Sequence, residues 1–431
     1  MCLGLYLAFS TLSRIVYLTL YPNYDEWYYL ACWNAIKNGE ALYRTILDNK
    51  PPLAYFLYAV PDNISLFATQ TILSTIVAFF TALIARHYAA GMFFLMITAT
   101  LPSFLELNLE YWVLGCILPA YYYLFEKKSI WGYRFAYFLC GAALMIKQHS
   151  LLLVLPLVLY NLWTDPRHFW RNAYFALILP LFCLFYLVYC STTHLVYDWL
   201  IGYNLWYKNL SETGKYIWKR FIYGQFFLLP LYVGLGLVIL SIKSNIRHLI
   251  LLLAFVLSLS SVWIGKELYL HYQILIIPFL ILLFFELAPQ KKIKSIMAGV
   301  AVFFLLSQAT YFYTYLTGTN TWMKKLEGVL SYQEQKQIPI LAKGRVLVFS
   351  AESHIGLDYR QVKHIAVCSC LEYLNRNNPH SARQLLSCDL YLKNAIYVVP
   401  KSCLKRYVGS LGYRIVFEYQ DNVGIEIDHC A

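Results

Sequence analysis

"YPNYDEWYYLACWNAIKNGEALYRTILDNKPPLAYFLY" (residues 21–58) directly follows the apolar run of residues 2–20, and its reading decides the rest of the chain. The run before it is long enough to cross the roughly 30 Å of hydrocarbon in a bilayer. The quoted stretch opens on two acids, Asp25 and Glu26, inside a band of tryptophan and tyrosine. It closes on Asp48-Asn49-Lys50-Pro51-Pro52. Aromatics in such a band anchor a segment at the membrane–water interface. Charges set among them mark a segment that has left the hydrocarbon but stays on its surface.

Composition agrees. Of 431 residues, 60% are hydrophobic and 13% charged, with a mean hydropathy of +0.52. A soluble domain carries about 25% charged residues, so the chain reads as an integral membrane protein and not as a soluble enzyme. The formal net charge of +12 would suggest nucleic acid in a soluble protein. Here the basic residues sit in short loops between apolar runs, so topology accounts for them and no nucleic-acid partner is expected. Residues 2–20 lack a basic leader and a small-residue cleavage site, and read as a retained span. The eleven cysteines include no pair with zinc-ligand spacing. Cys116, Cys140 and Cys183 fall inside spans, as small hydrophobes do.

Apolar segments fall near 2–20, 64–85, 89–104, 109–125, 131–146, 149–163, 173–191, 221–242, 248–264, 269–286 and 295–316. They predict about eleven transmembrane helices. Alternate loops carry Arg86, Lys127 with Lys128, Arg167 with Arg171, Lys243 with Arg247, and Lys291, Lys292 and Lys294. All five lie on one side if the N-terminus is cytoplasmic, as the positive-inside rule requires. The opposite side receives the first loop (21–63) and the tail from residue 317. That tail turns polar and holds β-rich runs at 345–349, 395–399, 413–419 and 423–427, which predict a small α/β domain outside the membrane. Two domains follow: a membrane domain over 1–316 and an extracytoplasmic one over 317–431.

Ionisable residues in or beside spans are expensive, so each invites a functional reading. Asp25, Glu26, Lys50, Glu106, Glu110, Lys147, Lys266 and His271 all map to the outer face, joined by Arg14 in the first span. Cations there suit phosphate, and a carboxylate suits proton abstraction from an attacking hydroxyl. Each residue also has a plainer structural role. Asp25 fits the cap of a helix over 26–38 that Gly39 would end. Lys50 fits a snorkelling lysine, Glu110 a solvated flank, Lys147 and Lys266 span boundaries, and His271 with Tyr272 a polar pair in an aromatic belt.

The order of these features resembles the GT-C glycosyltransferases that use polyprenyl-phosphate sugars, above all the protein O-mannosyltransferase and aminoarabinose transferase families. The resemblance rests on DEWYY after the first span and on NGEALYRTILDNKPPLAYFLY, which is similar to the family's first outer loop. NLEYWVLGCILPAYYYLF (108–125), GAALMIKQHSLLLVLP (141–156) and KELYLHYQILIIPFL (266–280) extend it over the first two thirds of the chain. It implies a GT-C fold and an inverting transfer of a sugar from a polyprenyl-phosphate donor to a hydroxyl on a glycolipid, envelope polysaccharide or protein. By the same resemblance Asp25 is the general base or orients the acceptor hydroxyl, and Glu110 is a second acid near the sugar or acceptor. Glu26 supports the loop, Lys50 binds the donor phosphate, and Lys147, Lys266, His271, Tyr272 and Arg14 line the phosphate side. No cofactor is required, and a divalent metal is compatible with the chemistry without being demanded by it. Short loops and a compact length point to a bacterial inner membrane, and the charge pattern puts the active site on the extracytoplasmic side with membrane lipids around it. Glu110 stands where some members carry aspartate, and eleven spans are fewer than in the aminoarabinose transferases. The rival class is a flippase for lipid-linked sugars, which would place its charges near the midplane with inverted repeats; the charges here gather at one face.

Overall fold

The computed structural model describes residues 2–20, 24–44, 46–59, 63–99, 104–105, 107–127, 129–203, 245–264 and 270–287. It also describes short pieces within 221–232 and 299–309, and segments 346–350, 365–366, 395–401, 413–419 and 422–427. In chain order the elements are α1 (Cys2–Leu20), α2 (Tyr24–Lys37), β1 (Ile46–Leu47), α3 (Leu53–Phe56), α4 (Asn63–Ala85) and α5 (Tyr88–Thr98). Then come α6 (Leu109–Tyr122), α7 (Ile130–Ile146), α8 (Leu151–Thr164), α9 (Pro166–Asn172), α10 (Ile178–Tyr189), α11 (Ile246–Ile264) and α12 (Ile277–Leu287). Strands β2 (Val346–Ser350), β3 (Ile365–Ala366), β4 (Ala395–Pro400), β5 (Tyr413–Tyr419) and β6 (Asn422–Ile427) close the chain. Two compact units emerge. The first is Met1–Tyr21 with Pro61–Cys183 and Ser211–Thr321; the second is Pro22–Val60 with Leu184–Leu210 and Trp322–Ala431.

The first unit is helical. Among the described residues, Ser65–Ala85, Pro166–Tyr189 and Ile246–Trp263 are long and apolar enough to cross a membrane, and four shorter apolar helices accompany them. The expected spans near 221–242 and 295–316 lie largely outside the described residues. Several hydroxyls inside the apolar helices are satisfied locally: Thr75, Thr81 and Thr98 each donate to the carbonyl one turn back, and Ser10 of α1 bonds Ser74 of α4. This is how a helix carries polar side chains where no water can solvate them. Small residues set the closest approaches. A Cβ on Gly141 of α7 would collide with the carbonyl of Ala176, in the short 3₁₀ segment before α10. Gly141→Val is therefore expected to lower the thermal midpoint in detergent by an amount corresponding to about 1–3 kcal/mol; an unchanged midpoint would refute this packing account.

One end of the first unit is tied by charge. Glu126, in the turn after α6, accepts from Arg86 at 2.7 Å and also pairs with Arg247. Arg247 donates to Glu286 at 2.6 Å, and His248 lies 3.7 Å from the same carboxylate. Arg86 and Arg247 come from two of the loops that the charge pattern assigned to a common side, and meeting at one carboxylate requires that they share it. Burial pushes the Glu126 carboxyl up, but the hydrogen bonds and charges of Arg86 and Arg247 outweigh it and hold the group below its ordinary 4.5. A carboxyl depressed by folding stabilises fully above its unfolded value, and loses that contribution as pH falls through the lowered folded one. The thermal midpoint should thus drop as pH is taken below 4.5, and drop less in Arg247→Met. Equal acid sensitivity in the two proteins would contradict the linkage.

In the second unit, α2 begins at Tyr24, so Asp25 and Glu26 lie within its first turn and not before it. Carboxylates there favour the positive helix terminus. Gly39, at φ +93, ends the helix, where a side chain would be strained. The four β-rich runs of the tail form β2, β4, β5 and β6, and the sheet order is β1-β3-β2-β4-β6-β5. β1 to β4 pair in parallel, whereas β6 runs antiparallel to β4 and β5. β4, AIYVVP, lies between two neighbours and is apolar throughout, as an inner strand is. The edge strand β1 comes from the first loop and ends directly before Asp48, so the sheet fixes the start of the Asp48–Pro52 turn.

Candidate active site

Within the first unit, α6 and α7 run side by side and present opposite charges at the same end. Asn108 caps α6 by accepting from the Tyr111 amide, which sets Glu110 in the first turn. Lys147 is the first residue after α7, in an extended conformation (φ −153, ψ 128) that breaks the helix before Gln148–Ser150. The Lys147 ammonium bonds the Glu110 carboxylate. Glu110 is 1% exposed and Lys147 4%, so Glu110 is no solvated flank and Lys147 no ordinary boundary residue. An acid at a helix N-terminus and a cation at a helix C-terminus are each favoured by the helix dipoles, so the backbone reinforces the pair.

Two further residues expected at the site join them. Lys147 Nζ sits 3.7 Å over the Tyr272 ring, a cation–π contact. His271 packs edge-on to Tyr272 at 4.6 Å and lies within electrostatic range of Glu110. Arg14 is buried in α1, with its charge in range of the Tyr111 hydroxyl, the residue after Glu110. That hydroxyl donates to the Phe104 carbonyl at 2.6 Å. Glu110, Lys147, His271 and Tyr272 thus assemble in one place. Lys266 and Glu106 lie outside the described residues.

Lys50 belongs to the second unit. Its ammonium donates to Asn49 Oδ1 and stands 3.9 Å from Asp48 Oδ1. Asp48 is buried, accepting from the Tyr55 hydroxyl at 2.9 Å and from the Asn49 amide at 2.6 Å. Tyr43 donates to the Lys50 carbonyl at 2.7 Å, and the Trp199 indole donates to the Tyr43 carbonyl at 3.0 Å. Tyr29 stacks on Tyr58 at 5.0 Å and leans on Tyr55. Burial first, then the Asp48 charge, drive the Tyr55 hydroxyl well above its ordinary value, so it stays a donor. The turn is therefore bound on three sides, with its cation turned to two oxygen acceptors. Asp25 and Glu26 are placed by the backbone of α2; their side chains lie outside the described residues.

Sequence reading passed over Asp48, Tyr55, Asn108 and Tyr111. Asp48 was visible as an acid two residues before Lys50. The others look like ordinary aromatic or loop residues until the fold is known. Among the described residues there is no group of three or more His, Cys, Asp or Glu side chains able to hold a metal ion.

No protein-family model matches the chain, and no curated protein does. Solved structures do match, and the likeness is one of fold. One matching structure is ArnT from Cupriavidus metallidurans bound to undecaprenyl phosphate, with a TM-score of 0.60 and 13% identity. The likeness covers 98% of this chain and 98% of that one, and at such identity it concerns the fold alone.

The Glu110–Lys147 pair has a direct test. Glu110→Gln and Lys147→Met should each destabilise by about 3–5 kcal/mol, since each strands a buried charge. The double variant should lose less than the sum. Additive losses would show that the two do not interact.

Proposed function

We propose that the chain is a membrane glycosyltransferase that moves a sugar from a polyprenyl-phosphate-linked donor to an acceptor hydroxyl. The observation that carries this reading is the likeness, over nearly the whole length, to a structure that holds undecaprenyl phosphate. A buried cation beside a carboxylate in the first unit and a half-buried one in the second support it, because a lipid-linked sugar phosphate is anionic at its reacting end.

Asp25 takes the proton of the acceptor hydroxyl as its oxygen attacks the anomeric carbon. The bond from that carbon to the phosphate oxygen breaks, and its electron pair leaves with the polyprenyl phosphate, inverting the anomeric centre. Lys50 neutralises the charge that develops on the leaving phosphate, and Asp48 with Asn49 aims its ammonium. Glu110, held by Lys147, bonds sugar or acceptor hydroxyls. His271, Tyr272, Lys266 and Arg14 line the phosphate side, and Glu26 supports the loop. The chemistry requires no cofactor; a divalent metal is compatible with it. We further propose about eleven spans over 1–316, a cytoplasmic N-terminus, a bacterial inner membrane, and an extracytoplasmic site and α/β domain over 317–431. The acceptor is a glycolipid, an envelope polysaccharide or a protein.

The test uses membranes carrying the full chain and a labelled polyprenyl-phosphate sugar. Asp25→Asn should reduce transfer by at least about 100-fold at normal expression, and Lys50→Ala should raise the donor concentration needed for half-maximal rate. Unchanged transfer in Asp25→Asn would sink the catalytic assignment. Movement of the donor across sealed vesicles without any product would replace the enzyme by a flippase.

A further inference from the structure

The corner of the first unit formed by the start of α7, the end of α8 and α9 plays no part in the proposed reaction. α9 is capped by Asp165, which accepts from the His168 amide, and Pro166 opens its first turn. One face is docked. The His168 ring stacks on Tyr133 at 5.0 Å, Phe169 meets Tyr137 edge-on, and the buried Asn172 accepts from Arg134. The spacing of one and four residues that packs this face turns Arg167, Trp170 and Arg171 to the other, since residues three and four apart share a helix face. All three are exposed, Trp170 at 74%. Trp131 and Trp163, at 72% and 78%, are exposed at the same corner. The Asp165 carboxylate is occupied by the Tyr133 hydroxyl and the His168 ring, each at 2.9 Å. It therefore does not compete for the two arginines. Arg134 is taken up between the Trp131 and Phe175 rings, at 4.9 and 5.4 Å.

The segment Pro166–Tyr189, in which α9 runs through the 3₁₀ turn Ala173–Leu177 into α10, has 24 residues. At 1.5 Å per residue that is about 36 Å, against about 30 Å of hydrocarbon. Its charged first turns therefore emerge at headgroup depth, while the apolar remainder stays in the membrane. Two guanidinium forks flanking an indole at this depth match a phosphodiester above an acyl chain in both charge and shape. We propose that the Arg167–Trp170–Arg171 face binds the headgroup of an anionic phospholipid of the surrounding leaflet, with the phosphodiester between the arginines and the indole at the acyl boundary.

The test is native mass spectrometry of the full chain released from bilayers holding equal phosphatidylglycerol and phosphatidylcholine. The wild type should retain phosphatidylglycerol in preference by about tenfold, and Arg167→Gln/Arg171→Gln should bring retention near parity. Lys127→Gln removes an exposed charge at the same end and should leave the preference intact. Millimolar inorganic phosphate should not displace the lipid. Arg171→Gln alone, an exposed single change, should lose part of the preference and guards against a misfolded double variant. The proposal is overturned by an undiminished preference in both arginine variants, by an equal loss in Lys127→Gln, or by displacement with free phosphate. None of these outcomes depends on glycosyl transfer.

Discussion

A charge inside an apolar bundle has to be answered by an opposite charge, and in the first unit Glu110 and Lys147 answer one another. Much of the local architecture follows from that requirement. α6 must begin beside the point where α7 ends, which fixes the two helices as antiparallel neighbours. α7 must stop at Ile146 so that Lys147 can turn inward, and the chain resumes only after the 3₁₀ turn Gln148–Ser150. Replacing such a pair with apolar residues of similar volume is often neutral or stabilising. Its presence is therefore hard to explain by stability alone, in keeping with the binding role proposed for it.

The second unit solves a related problem by a different route. Its lysine stands in a turn and needs direction more than neutralisation. The β1 strand before the turn, the buried Asp48, and the hydrogen bonds from Tyr43 and Tyr55 supply that direction. The aromatics that first suggested interfacial anchoring thus include several that build this turn. Tyr29, Tyr55 and Tyr58 are buried, where anchors would face the interface.

What the sequence made legible was chemistry concentrated by hydropathy. Ionisable residues are so scarce in the apolar segments that Glu110, Lys147 and His271 stood out singly, and the fold then brought them together. The positive-inside pattern put Arg86 and Arg247 on a common side, and their shared carboxylate agrees. Partners were not legible. Nothing in the spacing of Glu110 and Lys147 announces a bond between residues 37 apart, because that contact depends on how two helices align. The pairing of β1 with a strand more than 300 residues later was equally hidden, since a two-residue strand leaves no alternating pattern to read.

The central claim is a sugar transfer to a molecule of the cell envelope. It is tested most directly by mass spectrometry of envelope glycolipids, polysaccharides and proteins from cells with and without the gene. The account predicts that one envelope molecule loses a single sugar mass in the deletion strain, and that the wild-type chain restores it. Identical envelopes in the two strains, under conditions where the chain is shown to be produced, would contradict it.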